Sequence, residues 1–579
     1  MAHASRNVSW SDIRGGFLAG VGLLPALLLG GCGGNGGAAP SPGSAPVISS
    51  FSASPANITA GQATTLAWQV SGATSLDLSN VTATPQTLSS SLVVVPAATT
   101  TYTLTAADSA GSTQQSATVT VTSASQVAGV QVNPAATAAP IPPNFLSIGH
   151  QMGDTLTMIG TSSTNVNPIY EQLLKNLIQY ANGPLLIREL ADGGNSDFYD
   201  ANRLAALSQV SQDLGVQFFV GVNFVDDDVA TATGEAQQLV AGLPGSQLQA
   251  IEVGNEPDLY EGSYDSYLGQ YEVFAPALIS ASGGIKLSAP VWAGLSASFM
   301  NNLDSFISTE ASTIAIVTVH HYSGTACNGA TEPADYLLTE PAVDGDTQPL
   351  TGPVGIPPYL PAAQQAKIPF RIGELNSINC GGQLGVSNSF SSAMWAMDIA
   401  FSYANVGVSG VNFFATGDPN TPNAYTPFDF TSTSNGGVNT YAVRNINPLY
   451  YGLLLFVQTV QNNAQLLPVT LTTPTQANIK AWATIDANQT IRLLLLNKDQ
   501  NASGPVSIAL SGYGQATITR LTAPSFSSTT GVTLAGQTFD GSADGTPQGT
   551  AYSEIAQPSS GVYTIALPAV SAALITLQP

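Results

Sequence analysis

The pattern that most constrains this chain is an alternation of short apolar strands with helices across residues 145–461. Strand patterns recur at Phe145–Gln151, Leu185–Leu190, Gln217–Phe224, Gln249–Glu256, Ile285–Trp292, Ile314–Tyr322, Pro369–Asn376 and Gly410–Gly417. Helical spacing fills the gaps at Pro168–Ala181, Ala201–Leu214, Thr231–Ala241, Tyr264–Ser282, Phe299–Thr309, Ala362–Ala366 and Ser389–Asn405, and a last helix, Pro448–Val460, follows. Parallel strands need a crossover long enough to hold a helix, so this alternation predicts a parallel sheet. Eight such units close a TIM (β/α)8 barrel, an α/β fold whose reactive groups gather at the C-terminal ends of the strands.

Both flanks read as all-β. Residues 462–579 carry strand patterns at Ile479–Thr484, Ile491–Asn497, Val506–Leu510, Ala516–Leu521 and Val562–Leu567, which predict a C-terminal β-sandwich domain packed on the barrel. Residues 46–123 hold Thr/Val/Ser-rich runs at Thr64–Val70, Leu88–Val95, Thr101–Ala107 and Ser116–Val121, with Trp68 in mid-strand and Tyr102 near the start of a later one. This N-terminal domain resembles an Ig-like β-sandwich without the cysteine pair. It gathers no His, carboxylate or aromatic cluster, so a spacer is a simpler reading than a glycan-binding module. Residues 124–144 form a linker with one strand candidate, Val127–Val132, expected to join the C-terminal sandwich.

The first 31 residues read as a targeting segment. Arg6 and Arg14 precede an apolar run from Phe17 to Leu29, and Leu29-Gly30-Gly31-Cys32 resembles a bacterial lipoprotein signal. In that reading the chain is cut before Cys32, the Cys32 thiol is lipidated, residues 32–45 are a flexible Gly/Pro/Ser tether, and the protein is extracytoplasmic, lipid-anchored to a bacterial membrane. A plain secretory signal with a chance cysteine is the rival. The G-x-G-x-x-G match at Gly31–Gly36 lacks the strand and helix that give such a loop meaning. Cys327 and Cys380 can pair in an oxidising compartment or stay as buried thiols; the sequence leaves both open.

Charge narrows the partners. Only 8% of residues are charged, with 13 Lys+Arg against 36 Asp+Glu and a formal charge of −23. Ordinary soluble proteins carry roughly 25%. Nucleic acid is excluded as a partner, since neutralising phosphates needs clustered cations. A catalytic metal is not expected either: the four histidines form no H-E-x-x-H pair, and adjacent His320 and His321 point to opposite faces of a strand. No cofactor motif, G-x-S-x-G elbow or Walker loop occurs.

Two carboxylates stand at strand ends: Glu256 in Ile251-Glu-Val-Gly-Asn-Glu-Pro-Asp258, and Glu374 in Phe370-Arg-Ile-Gly-Glu-Leu-Asn376. They close the fourth and seventh strands. Paired carboxylates there suit glycosidic cleavage, one protonating the leaving oxygen while the other attacks carbon or activates water. Glu252 shares a face with Glu256 by alternation and reads as a supporting acid.

Glu-Val-Gly-Asn-Glu-Pro257, Val319-His-His-Tyr322, and Gly373-Glu374 followed by Cys380-Gly-Gly382 together resemble glycoside hydrolase family 79, over roughly residues 127–579. That family holds heparanases and bacterial β-glucuronidases of a retaining clan. The resemblance implies Glu256 as acid/base and Glu374 as nucleophile, with carboxyls about 5–5.5 Å apart. It implies Tyr322 beside Glu374, Asn255 on the sugar 2-hydroxyl, and His320 supporting the site. The substrate carboxylate would meet backbone amides of Cys380, Gly381 and Gly382 and the hydroxyl of Tyr425. After the second strand the sequence departs from the family's Arg-x-Gly-Gly turn; Arg188-Glu-Leu-Ala-Asp-Gly-Gly-Asn-Ser-Asp197 has extra residues. Asp197 or Asn195 is expected at the sugar, with Asp192 as another position.

The function implied is release of terminal β-D-glucuronic acid from a glucuronide. Three alternatives stay open: a heparanase-like endo-enzyme, a neutral β-glycosidase on the same fold, and a non-catalytic carbohydrate-binding lipoprotein. A cation-poor chain lacks the basic cleft that would steer a polyanion, which disfavours the first.

Overall fold

The computed structural model describes residues 44–82, 87–135, 140–190, 200–345, 350–417 and 424–579. Cys32 and the positions Asp192, Asn195 and Asp197 lie outside them. Among the described residues no helix is long and apolar enough to cross a membrane.

Leu186–Leu190 shows how the barrel arises from sequence. All five residues are buried, because one face of the strand lines the barrel interior and the other packs under the helices. The barrel strands are β1 (Leu146–Gln151), β2 (Leu186–Leu190), β3 (Gln217–Val222), β4 (Leu248–Val253), β5 (Leu287–Trp292), β6 (Ile314–Gly324), β7 (Phe370–Ile378) and β8 (Gly410–Phe414). They close in sequence order, β8 pairing back onto β1, and every neighbouring pair is parallel. Helices start where the sequence supplies caps: Asn167, Asp200 and Asp228 each accept two backbone N–H groups of the following turn. Among the described residues, glycine ends three α-helices in the left-handed conformation: Gly215 at φ 72°, Gly345 at φ 90° and Gly407 at φ 97°.

The C-terminal sandwich has a seven-stranded sheet facing a four-stranded one. Strand Ala128–Val132, ahead of the barrel in sequence, sits inside the smaller sheet between Val469–Thr472 and Gly504–Ala509. Ile491–Asn497 is buried throughout. Its Ile491, Leu493 and Leu495 fill the sandwich, while Leu494 and Leu496 join the barrel's core. This double burial explains the unbroken Leu run, each side chain contributing about 1.5–3 kcal/mol. Strand Ser571–Leu577 is central to the large sheet, and Phe428–Asn435 with Val438–Ile446 forms a hairpin after β8; the periodicity reading missed all three.

The N-terminal domain is a pair of sheets of three and four strands. Trp68 is buried in its core and donates its indole N–H to the Thr87 carbonyl at 3.0 Å. This domain is seated on the C-terminal sandwich. Arg520, paired with Glu554, donates to the Val95 carbonyl at 3.3 Å, and Tyr552 donates to the Val93 carbonyl at 2.5 Å.

Candidate active site

The arrangement begins with Arg188 on β2, a fully buried guanidinium. Alternation turns Arg188 inward and its neighbour Glu189 outward. Arg188 donates Nη1 to Glu374 Oε2 at 2.5 Å, Nε to Glu252 Oε1 at 2.7 Å and Nη2 to Asn255 Oδ1 at 2.9 Å. One cation therefore fixes two carboxylates and the amide beside the third. Such buried charges are tolerated only when paired this fully.

Glu374 lies on β7 opposite His320 of β6 in the ladder. Its second oxygen accepts the Tyr322 hydroxyl at 2.6 Å. Burial and the Glu374 charge hold Tyr322 far above the usual phenol range, so it acts as a neutral donor. Glu252 sits beneath the site, bonded also to Ser288 Oγ at 3.3 Å. Burial raises its proton affinity and Arg188 opposes this.

Glu256 departs from expectation. It does not close the fourth strand: β4 ends at Val253, and Gly254 (φ 73°) and Glu256 (φ 52°) both turn left-handed. A Cβ at position 254 would lie 2.7 Å from Phe224 Cβ, so only glycine allows the turn. Strand alternation thus stops short of Glu256 and does not relate its face to that of Glu252. The left-handed form costs a glutamate about 1–3 kcal/mol. It is held by the Glu256 N–H on the Val291 carbonyl (3.0 Å) and by the Leu259 N–H on the Glu256 carbonyl (2.9 Å). Two residues on, buried Asp258 accepts the N–H groups of Ala293 and Gly294 at 2.7 and 3.2 Å. These bonds lock the β4 loop to the β5 loop.

Glu256 Oε1 lies 3.0 Å from His320 Nδ1. Burial, helped by Arg188, drops the His320 pKa to about 3, so the imidazole stays neutral. Burial raises the pKa of Glu256, with Arg188 opposing. His321 faces away, toward Thr351 and the Tyr403 ring.

One ligating atom each of Glu256, His320 and Glu374 lies within 4.8 Å of the others. By atom type that trio suits a divalent cation. However, both Glu374 oxygens already carry donors, and the Arg188 charge stands beside them, which opposes a second cation.

At the rim, Cys380, Gly381 and Gly382 take successive φ values of 54°, 91° and 79°. Cys380 is disulfide-bonded to Cys327. Gly381's carbonyl accepts the Ala424 N–H at 2.8 Å, and a Cβ on Gly382 would lie 2.8 Å from the Tyr425 nitrogen. Tyr425 is buried, its ring 6.0 Å from both Tyr322 and Phe414 and its hydroxyl bonded to that of Tyr322. The structure thus brings together Glu256, Glu374, Asn255, His320 and Tyr322, with Tyr425 and the 380–382 turn against Tyr322. Sequence reading gave Arg188 no site role. The available signal was a cation inside the apolar run Leu185-Leu-Ile-Arg-Glu-Leu190 of a chain with so few cations.

Residues 481–574 match the model of the glycosyl hydrolase family 79 C-terminal beta domain. A beta-glucuronidase of Aspergillus niger is 27% identical over 212 residues, 32% of this chain and 38% of that protein. The chain therefore matches less than two fifths of that relative's length. Among solved structures, a 4-O-α-L-rhamnosyl-β-D-glucuronidase of Fusarium oxysporum, in complex with Rha-GlcA, superposes with a TM-score of 0.61 at 20% identity, over 77% of this chain and 98% of that one. A family 51 α-L-arabinofuranosidase of Bifidobacterium longum gives 0.55 at 17% identity, over 79% and 100%. These two likenesses establish the barrel-plus-sandwich fold. The family-specific likeness, to glycosyl hydrolase family 79, lies in residues 481–574 of the C-terminal sandwich.

Proposed function

We propose that this protein is a retaining β-glucuronidase that releases terminal β-D-glucuronic acid by double displacement. The observation that carries the reading is the approach of Glu256 and Glu374 to within 4.8 Å, oxygen to oxygen, at the mouths of β4 and β7. A separation of this order suits the retaining geometry of about 5–5.5 Å rather than the roughly 6.5–9.5 Å of enzymes in which water attacks directly.

Glu374 is the nucleophile. Arg188 and Tyr322 hold its two oxygens in place, so no reorganisation is needed at the moment of attack. Glu256 gives its proton to the glycosidic oxygen as the bond from C1 breaks and a C1–O bond to Glu374 forms. The aglycone leaves as a neutral alcohol. Glu256, now a carboxylate, takes a proton from water; the hydroxyl adds to C1 and Glu374 is released. The raised proton affinity of Glu256 suits the first step. Asn255, its carbonyl oxygen taken by Arg188, turns its amide N–H groups to the sugar 2-hydroxyl. The Cys380–Gly382 turn receives the uronate with neutral Tyr425, which turns its hydroxyl proton from Tyr322 to the ligand, and no added cation is needed. The Aspergillus niger relative supports a glucuronide as substrate.

The leader motif supports a lipid anchor at Cys32 and an extracytoplasmic location. The test of substrate class is a comparison of p-nitrophenyl β-glucuronide with the matching glucoside. The glucuronide should be preferred by roughly 100-fold or more in kcat/KM, the scale of one lost charged contact. Equal turnover would exclude uronate selectivity.

A further inference from the structure

The two cysteines sit where they join the loops that leave β6 and β7, the strands that carry Tyr322 and Glu374. Cys327 follows β6 by three residues and Cys380 follows β7 by two. The bridge therefore closes over the edge of the site. It is also the first residue of the turn that touches Tyr425. Cys380 adopts φ 54°, which a non-glycine residue avoids, and Gly381 and Gly382 continue in the same left-handed region. Three such residues in a row have many alternatives in an untethered chain.

The turn bears directly on the Tyr425 backbone. Gly381's carbonyl takes the Ala424 N–H, and Gly382 approaches the Tyr425 nitrogen so closely that no side chain fits. From below, Asn376 on β7 donates to the carbonyls of Tyr425 and Phe414 at 3.0 and 2.8 Å. Tyr425 is thus gripped between the strand and the turn. Its hydroxyl bonds to Tyr322, and Tyr322 bonds to Glu374. Of these supports, Asn376, Tyr322 and Glu374 lie on barrel strands. The turn is the part that depends on a loop, and its other anchors across the rim are Asn379 N–H on the Gly324 carbonyl (3.1 Å) and Gln383 with Glu332.

We infer that the Cys327–Cys380 disulfide is a specificity clasp: it positions the glycine turn and Tyr425 to accept the substrate's carboxylate, while the Glu256–Glu374 chemistry runs without it. This rests on the uronate reading proposed above. The bridge and Tyr425's backbone contacts act on binding of one substrate group, and Glu374 keeps Arg188 and Tyr322 whether or not the bridge is closed. Opening it should cost preorganisation of one loop and one aromatic side chain, which lowers affinity by roughly 3- to 10-fold.

The experiment uses the full chain in three forms: oxidised wild type, wild type reduced by a phosphine, and Cys327→Ser. Reduction consumes one phosphine and one water per bridge and yields two thiols and the phosphine oxide; alkylation and mass analysis of Cys327 and Cys380 verify it. Each form is assayed on p-nitrophenyl glucuronide and on the matching glucoside. Expected for both altered forms is a KM for the glucuronide raised roughly 3- to 10-fold, kcat within about twofold, and glucoside kcat/KM unchanged. Phosphine should have no further effect on Cys327→Ser. If that variant fails to fold, the reduced wild type still reports. Unchanged KM and an unchanged ratio of the two substrates overturn the clasp while the uronate reading stands. An equal loss on both substrates overturns it too, since the bridge is then only structural. Oxidised wild type that shows no preference for the glucuronide overturns the uronate reading, and the clasp with it.

Discussion

Glu374 and Glu256 face each other across the site, yet they are held in opposite ways. Glu374 lies inside β7, where the ladders to β6 and β8 both shift register, its side chain 9% exposed, with both oxygens occupied by donors from β2 and β6. Glu256 lies past the end of its strand in a left-handed conformation, its side chain 23% exposed, with the neutral imidazole of His320 against its carboxyl. Glu374, the proposed nucleophile, is held by its side chain, and Glu256, the proposed acid/base, by its backbone. The difference suits the two proposed tasks. A nucleophile does best when one ionised state is fixed in one place. An acid/base must lose and regain a proton, so its carboxyl needs partners that do not pin either state.

Glu374→Ala attacks the more constrained partner and should have the largest effect. On the proposed mechanism it removes the group that bonds to carbon, and kcat should fall by roughly 10^4-fold or more. Azide added to this variant should restore turnover and give the α-glycosyl azide, because the small anion attacks from the face Glu374 vacates. Persistence of glucuronide hydrolysis without azide would show the assignment to be wrong.

Glu256→Gln should cost less, and the cost should follow the leaving group. General acid catalysis contributes roughly 10^2- to 10^4-fold, and alkyl glucuronides need all of it. Nitrophenyl glucuronides need little protonation, so their first step should survive and a burst of nitrophenol should precede slow hydrolysis of the glycosyl-enzyme. The pH profile gives a second check. Burial raises the pKa of Glu256, and the first step needs the protonated form. Wild-type kcat/KM should therefore fall as pH rises through that titration, and the variant should lack that alkaline limb. A limb unchanged in Glu256→Gln would assign it to another group.

The two carboxylates also differ in how much of them could be read from sequence. Glu374 was legible because it lies in a strand whose apolar pattern gives its position within about two residues. Glu256 was legible as a residue through Asn-Glu-Pro, but its geometry was not: positive φ at residues 254 and 256 breaks the period-2 rule that seemed to carry strand four to its end. The eight-fold barrel could be counted because local periodicity encodes each unit. The pairing of Arg188 with Glu252 and Glu374 could not, since it joins residues 64 and 186 positions apart and leaves no local trace. Strand Ser571–Leu577 and the hairpin at 428–446 were missed for a related reason. The first is buried on one face by the sandwich and on the other by the barrel, so alternation vanishes. The second has an exposed, Thr/Ser-rich tip that resembles loop.

Tyr322→Phe makes the smallest cut, one hydroxyl on the nucleophile's side. Glu374 Oε1 loses its donor, while Oε2 keeps Arg188. A hydrogen bond to a charged group contributes about 1.5–3 kcal/mol, so kcat should fall roughly 10- to 100-fold, well short of Glu374→Ala. The ring remains in place against Tyr425, whose hydroxyl loses one partner, so KM should change less than kcat. The alkaline limb should also stay where it is, because the substitution leaves Glu256 and His320 untouched. That pair of results would support Tyr322 acting on Glu374 and not on Glu256. A shift of the limb comparable with the loss in kcat would mean that the two carboxylates share their supports, and the division between a side-chain-held nucleophile and a backbone-held acid would fail.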